Sequence, residues 1–147
     1  PGDAAGVVAP DLAPGETITD DAGPVRFTAL GLRHAGDGER PHLGYVVHLG
    51  PWDVLHLGDA AVSPANLELL DRNTGPGRRV VLAPYWFLTD ADGRAWLRER
   101  SRAEAVVLLH VNRGNVGEIE RAVEEHASTL PPLVLPRERL QTVFAGE

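Results

Sequence analysis

The stretch from His34 to Asp59 constrains the fold of this chain most. It contains two short runs of apolar and β-branched residues, GYVVHLG and DVLHLGD, joined by the turn residues GPWD at positions 50–53. Two such runs around a Gly-Pro turn predict a pair of strands that form a hairpin. The run VRFTALGLRH comes just before and predicts another strand, which ends at His34.

Three apolar runs in this chain end at a residue that can bind a metal ion. His34 ends the first run, Asp59 follows the hairpin, and His110 ends the downstream run VVLLH. Because side chains at the ends of neighbouring strands can converge, we expect these three to lie together. The chain has no cysteine, so only imidazole and carboxylate groups can serve as metal ligands. The alternative for His34 and His110 is that they are polar residues where the core meets solvent, and for Asp59 that it is a turn residue or a helix cap.

The remaining chain alternates helices with strands. Helices are predicted at 63–73, 90–102 and 115–126, buried strands at 79–84 and 105–110, short strand-like pieces at 6–9, 17–18, 132–135 and 140–144, and a polar loop at 35–42. Ser63 and Pro64 give a helix start, and Asn115 with Glu118 gives a pattern like a capping box. The predicted fold class is α/β, with a mixed sheet and helices on one face.

Length and composition set limits on the function. The chain has 147 residues and suits one domain, with 43% apolar and 24% charged residues. No apolar run approaches the roughly 20 residues of a membrane span, and no signal-peptide pattern occurs, so a cytoplasmic location is expected. A net charge of −7 argues against binding to nucleic acid. The chain starts at Pro1 and contains no Met, from which we expect that an upstream part is absent.

The run GYVVHLGPWDVLHLGDA resembles the metallo-β-lactamase-fold hydrolases, in which a hairpin ends in Gly-Asp and the Asp bridges two metal ions. A strand ending in His precedes Asp59 by 25 positions, and a buried strand ending in His follows it by 51. The segments HLGD and VVLAP most resemble those of the family branch typified by ascorbate-6-phosphate lactonase. The family's His-x-His-x-Asp-His motif is absent. The resemblance therefore covers the C-terminal half of an αββα sandwich at 24–147, preceded by a connecting segment at 1–23.

This resemblance implies a metal site and a hydrolytic reaction. His34 would complete a first metal site, Asp59 would bridge and be the catalytic carboxylate, and His110 would complete a second site. Two Zn²⁺ ions are implied, with Mn²⁺ or Fe as alternatives. A metal-activated water would attack an ester, lactone, amide or phosphodiester of a small-molecule substrate. The other ligands would come from the missing N-terminal half, so this chain alone is expected to be inactive.

Two further residues are candidates for contact with substrate. Arg113 follows His110 by three positions and would meet an anionic group, the alternative being a surface ion pair. His42 would line an entrance from the 35–42 loop, the alternative being a solvated loop residue. His48 and His56 are interpreted as pointing toward polar neighbours, without a metal. The aromatic run at 85–87 either walls a pocket or is buried under a loop.

Half of a sandwich leaves an apolar sheet face uncovered. We therefore expect this chain to bind its missing half or a companion chain, or to form a homo-oligomer. The alternative function is that of a non-catalytic half-domain, which acts as a binding or assembly module.

Overall fold

The structure is a computed structural model that describes residues 10–36 and 40–136. Its elements are β1 Thr17–Ala22, β2 Val25–Arg33, β3 Pro41–Leu49, β4 Trp52–His56, α1 Pro64–Arg72, β5 Arg78–Pro84, α2 Trp86–Thr89, α3 Ala91–Glu99, β6 Ala105–Leu109, α4 Val116–His126 and β7 Leu133–Val134. The short strands predicted at 6–9 and 140–144 lie outside the described residues. Among the described residues, no helix combines the length and the apolar character that a membrane span requires.

The strands form one mixed sheet in which spatial order follows chain order, from β1 to β7. Neighbouring strands are antiparallel from β1 to β4 and parallel from β4 to β7. Consequently β2, β4, β5 and β6 all run in the same direction, and their carboxyl ends lie at one edge of the sheet. The predicted α/β class with a mixed sheet is confirmed.

The predicted hairpin is β3 and β4, with Gly50 and Pro51 as its turn. Gly50 has a φ of +60°, a conformation that glycine adopts without steric cost. The prediction of a loop over 35–42 is wrong at its end, because β3 begins at Pro41 and pairs His42 with Leu32 of β2. The strand is longer than its apolar run because the neighbouring strand β2 continues to pair with it.

The described helices share one core with one face of the sheet. Leu67, Phe87, Trp96 and Ile119, one from each helix, are at most 5% exposed and belong to a single cluster with alternate strand residues such as Val81. Residues on the opposite sheet face, among them Tyr45, Val47, Val54, Leu82 and Val107, are only half-buried. The prediction of helices on one face is therefore confirmed.

The predicted helices all form, but some of their predicted ends and caps are wrong. Ser63 accepts a hydrogen bond from the Asn66 amide and so caps α1 as predicted. The helix predicted at 90–102 ends at Glu99, and a short helix, α2, precedes it where no helix was predicted. The capping box at Asn115 is wrong: its side chain gives no cap, and Oδ1 accepts from the Asn112 amide instead.

Candidate metal centre

His34, Asp59 and His110 lie together at the edge where the parallel strands end. Nε2 of His110 is 2.7 Å from Oδ1 of Asp59, and Nε2 of His34 is 3.6 Å from Oδ2 of the same carboxylate. The side chains are 27%, 41% and 41% exposed for His34, Asp59 and His110. One carboxylate therefore faces two imidazoles, one on each oxygen, and all three groups remain accessible to solvent.

The backbone around Asp59 is shaped by Gly58. Gly58 has a φ of +53°, and a Cβ at this position would lie 2.4 Å from Nε2 of His42. Any side chain here is therefore both strained and obstructed. Beyond it, His34 and Ala60 form an isolated antiparallel bridge, in which the Ala35 amide donates to the Asp59 carbonyl. This bridge brings the end of β2 against the residue that follows β4.

His42 contacts the backbone at Gly58, so it does not stand free in a loop. Its Nε2 is 2.9 Å from the Asp59 amide nitrogen and 3.0 Å from the Leu57 carbonyl oxygen. Because one nitrogen cannot donate and accept at once, each contact corresponds to one tautomer. The His42 ring also packs edge-on against the ring of His34, with centroids 5.8 Å apart. A contact between His42 and substrate remains a prediction.

The aromatic run after β5 contacts the His110 side of the site. The Trp86 ring stacks on His110, with centroids 5.2 Å apart and planes at 26°, while its Nε1 donates to the Ala60 carbonyl at 2.8 Å. His110 has a φ of +61°, which is unusual for a residue with a Cβ. Phe87 is buried in the core and does not reach the site. Trp86 thus joins His110 to the segment after Asp59.

His56 lies close enough to the site to be affected by its charges. Burial lowers the pKa of His56 below the ordinary imidazole value of 6.5, and the neighbouring His42 and His110 lower it further. The His56 backbone and the Asp59 carboxylate act in the opposite direction. Asp59 is therefore surrounded by several imidazoles, and His56 is held toward its neutral form.

The types of atom at the site fit a transition metal, since two imidazole nitrogens and a carboxylate are ligands that Zn²⁺, Mn²⁺ and Fe accept. One buried nitrogen, Nδ1 of His34, has no hydrogen-bond partner among the described residues. Within residues 10–36 and 40–136, however, no three His, Asp or Glu side chains are already grouped so as to hold a metal ion. Metal binding by His34, Asp59 and His110 therefore remains a prediction.

The described residues show where the predicted metal ligands lie more clearly than they show a substrate pocket. Arg113 lies in the loop after His110 with an exposed side chain, so its predicted contact with an anionic substrate remains a prediction. A groove of about 360 Å³ lies between α3 and α4 and is lined by Arg94, Glu118 and Arg121 among others. It contains none of the predicted site residues.

Asn66 is a residue at this site that the sequence analysis missed. It is 2% exposed and bonds to the backbone of Arg33 and Ala61, next to His34 and Asp59. The only signal was its place in the first turn of α1, directly after the Ser63-Pro64 start. That position predicts a helical residue and says nothing about partners in β2.

Comparison with known proteins shows the fold. No family model matches the chain, and no curated protein matches it. Among solved structures it is similar to Igni18, a metallo hydrolase from the hyperthermophilic archaeon Ignicoccus hospitalis KIN4/I, with a TM-score of 0.58 and 16% identity over 84% of this chain. The chain matches half of a metallo-hydrolase-like fold. It covers 54% of the Igni18 chain.

A second similar structure is a mutant of the β-hydroxylase CmlA. The TM-score is 0.53 with 13% identity, and the match covers 82% of this chain and 31% of CmlA. The two similar proteins carry out different reactions according to their names, so the likeness shows a fold and leaves the reaction to be argued from the site.

Proposed function

We propose that this chain is the C-terminal half of a metal-dependent hydrolase of the metallo-β-lactamase fold. The observation that carries the proposal is the placement of His34, Asp59 and His110 at one edge of a metallo-hydrolase-like sheet, with both oxygens of Asp59 facing imidazoles. Residues 24–147 then form the half-domain, and 1–23 connect it to the upstream half. Within that fold we place the chain in the branch that resembles ascorbate-6-phosphate lactonase.

In this proposal each side chain has a distinct role. Asp59 would be the shared ligand of two metal ions, with His34 a ligand of one ion and His110 a ligand of the other. Two Zn²⁺ ions, with Mn²⁺ or Fe as alternatives, would supply Lewis-acid polarisation of the substrate and an activated water. Gly58 and His42 fix the backbone from which Asp59 projects. Trp86 covers one face of the His110 ring. A metal ion would therefore have to approach His110 from the side that Trp86 leaves uncovered.

Three ligands on this chain are too few for a tight site. The proposal therefore includes a second half, on the same gene or a companion chain, that supplies the His-x-His-x-Asp-His ligands. Its substrate is a small molecule with an ester, lactone, amide or phosphodiester bond, and Arg113 is the candidate contact for an anionic group on it. A cytoplasmic location also belongs to the proposal.

Native mass spectrometry with a matched set of variants tests this function. We expect the assembled protein to carry Zn²⁺ and to hydrolyse at least one ester or phosphodiester in a panel. Asp59→Asn should lose metal and hydrolysis together, whereas His48→Ala, at the other end of the sheet, should keep both. Retention of metal in Asp59→Asn would contradict the assignment, as would equal loss in both variants.

A non-catalytic assembly module is the second candidate. The observation that favours it is the half-buried apolar face of the sheet, including Val47, Val54 and Val107, together with Leu49 at 47% exposed. Such a surface fits a partner chain or a second copy. Sedimentation at micromolar concentration tests this part: a well-behaved monomer would contradict any need for a partner, and a stable complex without metal would favour the module over the enzyme.

A further inference from the structure

The segment after Asp59 is held to the end of β2 by a side chain from a third element. Asn66, in the first turn of α1, accepts a hydrogen bond at Oδ1 from the Arg33 amide and donates from Nδ2 to the carbonyls of Arg33 and Ala61, all at 2.9 Å. It is 2% exposed. One buried amide thus joins the residue before His34 to the second residue after Asp59.

These bonds flank the isolated bridge that pairs His34 with Ala60. In that bridge the Ala35 amide donates to Asp59 at 2.8 Å and the Ala61 amide donates to Arg33 at 2.9 Å. Two backbone bonds outside any regular strand give little resistance to opening by themselves. Asn66 adds three bonds to the same two segments, and its helix is fixed to the core through Leu67 and Leu70.

The other side of the site is held differently. His110 is fixed by the Trp86 ring, and its carbonyl accepts from Nδ2 of Asn115 at 3.2 Å. The three side-chain hydrogen bonds that Asn66 makes to described residues go to Arg33 and Ala61, and not to this loop. A change at Asn66 should therefore act on His34 relative to Asp59 and leave His110 in place.

We propose that Asn66 is the positioning residue that sets His34 against Asp59, and thereby the metal affinity on the His34 side of the centre. This inference rests on the proposed function for its metal-binding part. Its geometric part concerns only how the chain holds two of its own segments together. Side chains that orient metal ligands in this indirect way typically change metal affinity by about 10- to 100-fold when substituted.

Asn66→Asp is the most informative variant. The carboxylate keeps an acceptor for the Arg33 amide but cannot donate to the carbonyls of Arg33 and Ala61. A negative charge in the first turn favours the helix, but burying it at a residue that is 2% exposed costs stability, so Asn66→Ala is measured beside it. Asn73→Asp is the matched control, because Asn73 caps the other end of α1 and its Nδ2 donates to the Leu69 carbonyl. A carboxylate there opposes the helix dipole.

Hydrogen exchange of the metal-free 147-residue chain gives the first measurement. In Asn66→Asp we expect the Ala35 and Ala61 amides to exchange about 10- to 100-fold faster, since the bonds lost are those that keep the bridge closed. Core amides such as those of Val81 and Val106 should keep their rates. Asn73→Asp should leave the bridge amides unchanged. Asn66→Ala, which removes all three side-chain bonds, should repeat the result if the Asp variant fails to fold.

Zn²⁺ titration followed by the ring NMR signals of His34 and His110 gives the second measurement. We expect Asn66→Asp to weaken the response of His34 by about tenfold or more while the response of His110 changes less. An unchanged His34 response would overturn the role in metal binding. Unchanged bridge amides, or an equal rise at core amides, would overturn the positioning role altogether. If the wild-type chain shows no response to Zn²⁺ but the bridge amides behave as expected, the effect of Asn66 on metal affinity is overturned for the isolated chain, and the positioning of His34 by Asn66 stands.

Discussion

Two His–Asp pairs lie at opposite ends of the same sheet, and in both a ring nitrogen is 2.7 Å from a carboxylate oxygen. His48 and Asp53 lie at the amino end of β4, while His110 and Asp59 lie at the carboxyl ends of the parallel strands. The carboxylate of Asp53 is 14% exposed and that of Asp59 is 41% exposed. The same pair of residue types thus occurs in two environments.

The second carboxylate oxygen distinguishes the two ends. Oδ2 of Asp53 faces the guanidinium of Arg79 at 3.5 Å, whereas Oδ2 of Asp59 faces His34 at 3.6 Å. A guanidinium carries a permanent charge, so the Asp53 carboxylate is neutralised within the protein. Among the described residues, Asp59 has no such permanent cation at its two oxygens, only the imidazoles of His34 and His110. The first arrangement serves stability, and the second is suited to binding.

The largest effect on stability should come from Arg79. Its side chain is fully buried and donates to the carbonyls of Ser101 and Gly75 at 2.7 and 3.0 Å. Burial lowers its pKa from the ordinary value, and Asp53 opposes that change. Arg79→Met leaves the two carbonyls without their donor and removes the guanidinium charge beside Asp53, which we expect to cost about 3–5 kcal/mol of unfolding free energy. Asp59→Asn should cost under about 1 kcal/mol, since its partners are exposed.

Urea denaturation of the two variants measures this difference. A loss in Arg79→Met no larger than that in Asp59→Asn would mean that the two ends of the sheet do not differ as described. This contrast could not be predicted from the sequence, because Arg79 begins an apolar run and is indistinguishable there from a strand residue whose head group reaches solvent.

Glycines at the two ends offer an intermediate effect. Gly58 and Gly50 have φ values of +53° and +60°, so alanine is strained at both. A Cβ at Gly50 meets nothing within 4 Å, whereas at Gly58 it would displace the His42 ring. Gly58→Ala should therefore cost about 1 kcal/mol more than Gly50→Ala, the value of the lost bond between His42 and Asp59.

A double-mutant cycle with His42→Ala checks the origin of that difference. In the His42→Ala background the two glycine variants should become equally destabilising. A difference that persists without His42 would place its cause in the backbone of the 57–61 segment instead.

The convergence of His34, Asp59 and His110 could be predicted because it depends on local strand patterns and on the direction in which neighbouring strands run. Each residue ends a recognisable strand, and strands that run in the same direction bring their ends to one edge. The side chains that complete the site were not predictable in this way. Asn66 binds Arg33, 33 positions away in sequence, and Trp86 donates to Ala60, 26 positions away.

The errors in the strand and helix predictions arise from partners that the local sequence pattern does not reveal. His42 follows a polar run with a Pro and reads as a loop, but β2 extends far enough to pair with it. Asn115 has the sequence of a helix cap, yet the backbone of the His110 loop provides closer partners for its side chain. For His42 the partner strand decided the outcome, whereas for Asn115 the competing partners lie only three and five residues away.

The smallest expected effect is on the pH dependence of stability. It concerns His56, at the end of the sheet where Asp59 lies. His56 lies near Asp59, His42 and His110, and its folded pKa is lowered below 6.5, mainly by burial. The unfolded chain therefore takes up a proton at higher pH than the folded protein does. Stability from this source is present above 6.5 and declines as the pH falls toward the folded pKa.

His56→Gln removes the titrating group and should flatten that decline. Urea denaturation at about pH 7.5 and about pH 5.5 should show a smaller loss of unfolding free energy on acidification in His56→Gln than in the wild-type chain. His126→Gln, at the end of α4, is the control and should follow the wild type. An equal loss in all three proteins would mean that acid sensitivity does not arise at the site end through His56. A larger loss in His56→Gln would reverse the sign and show that the neighbouring Asp59 dominates over burial.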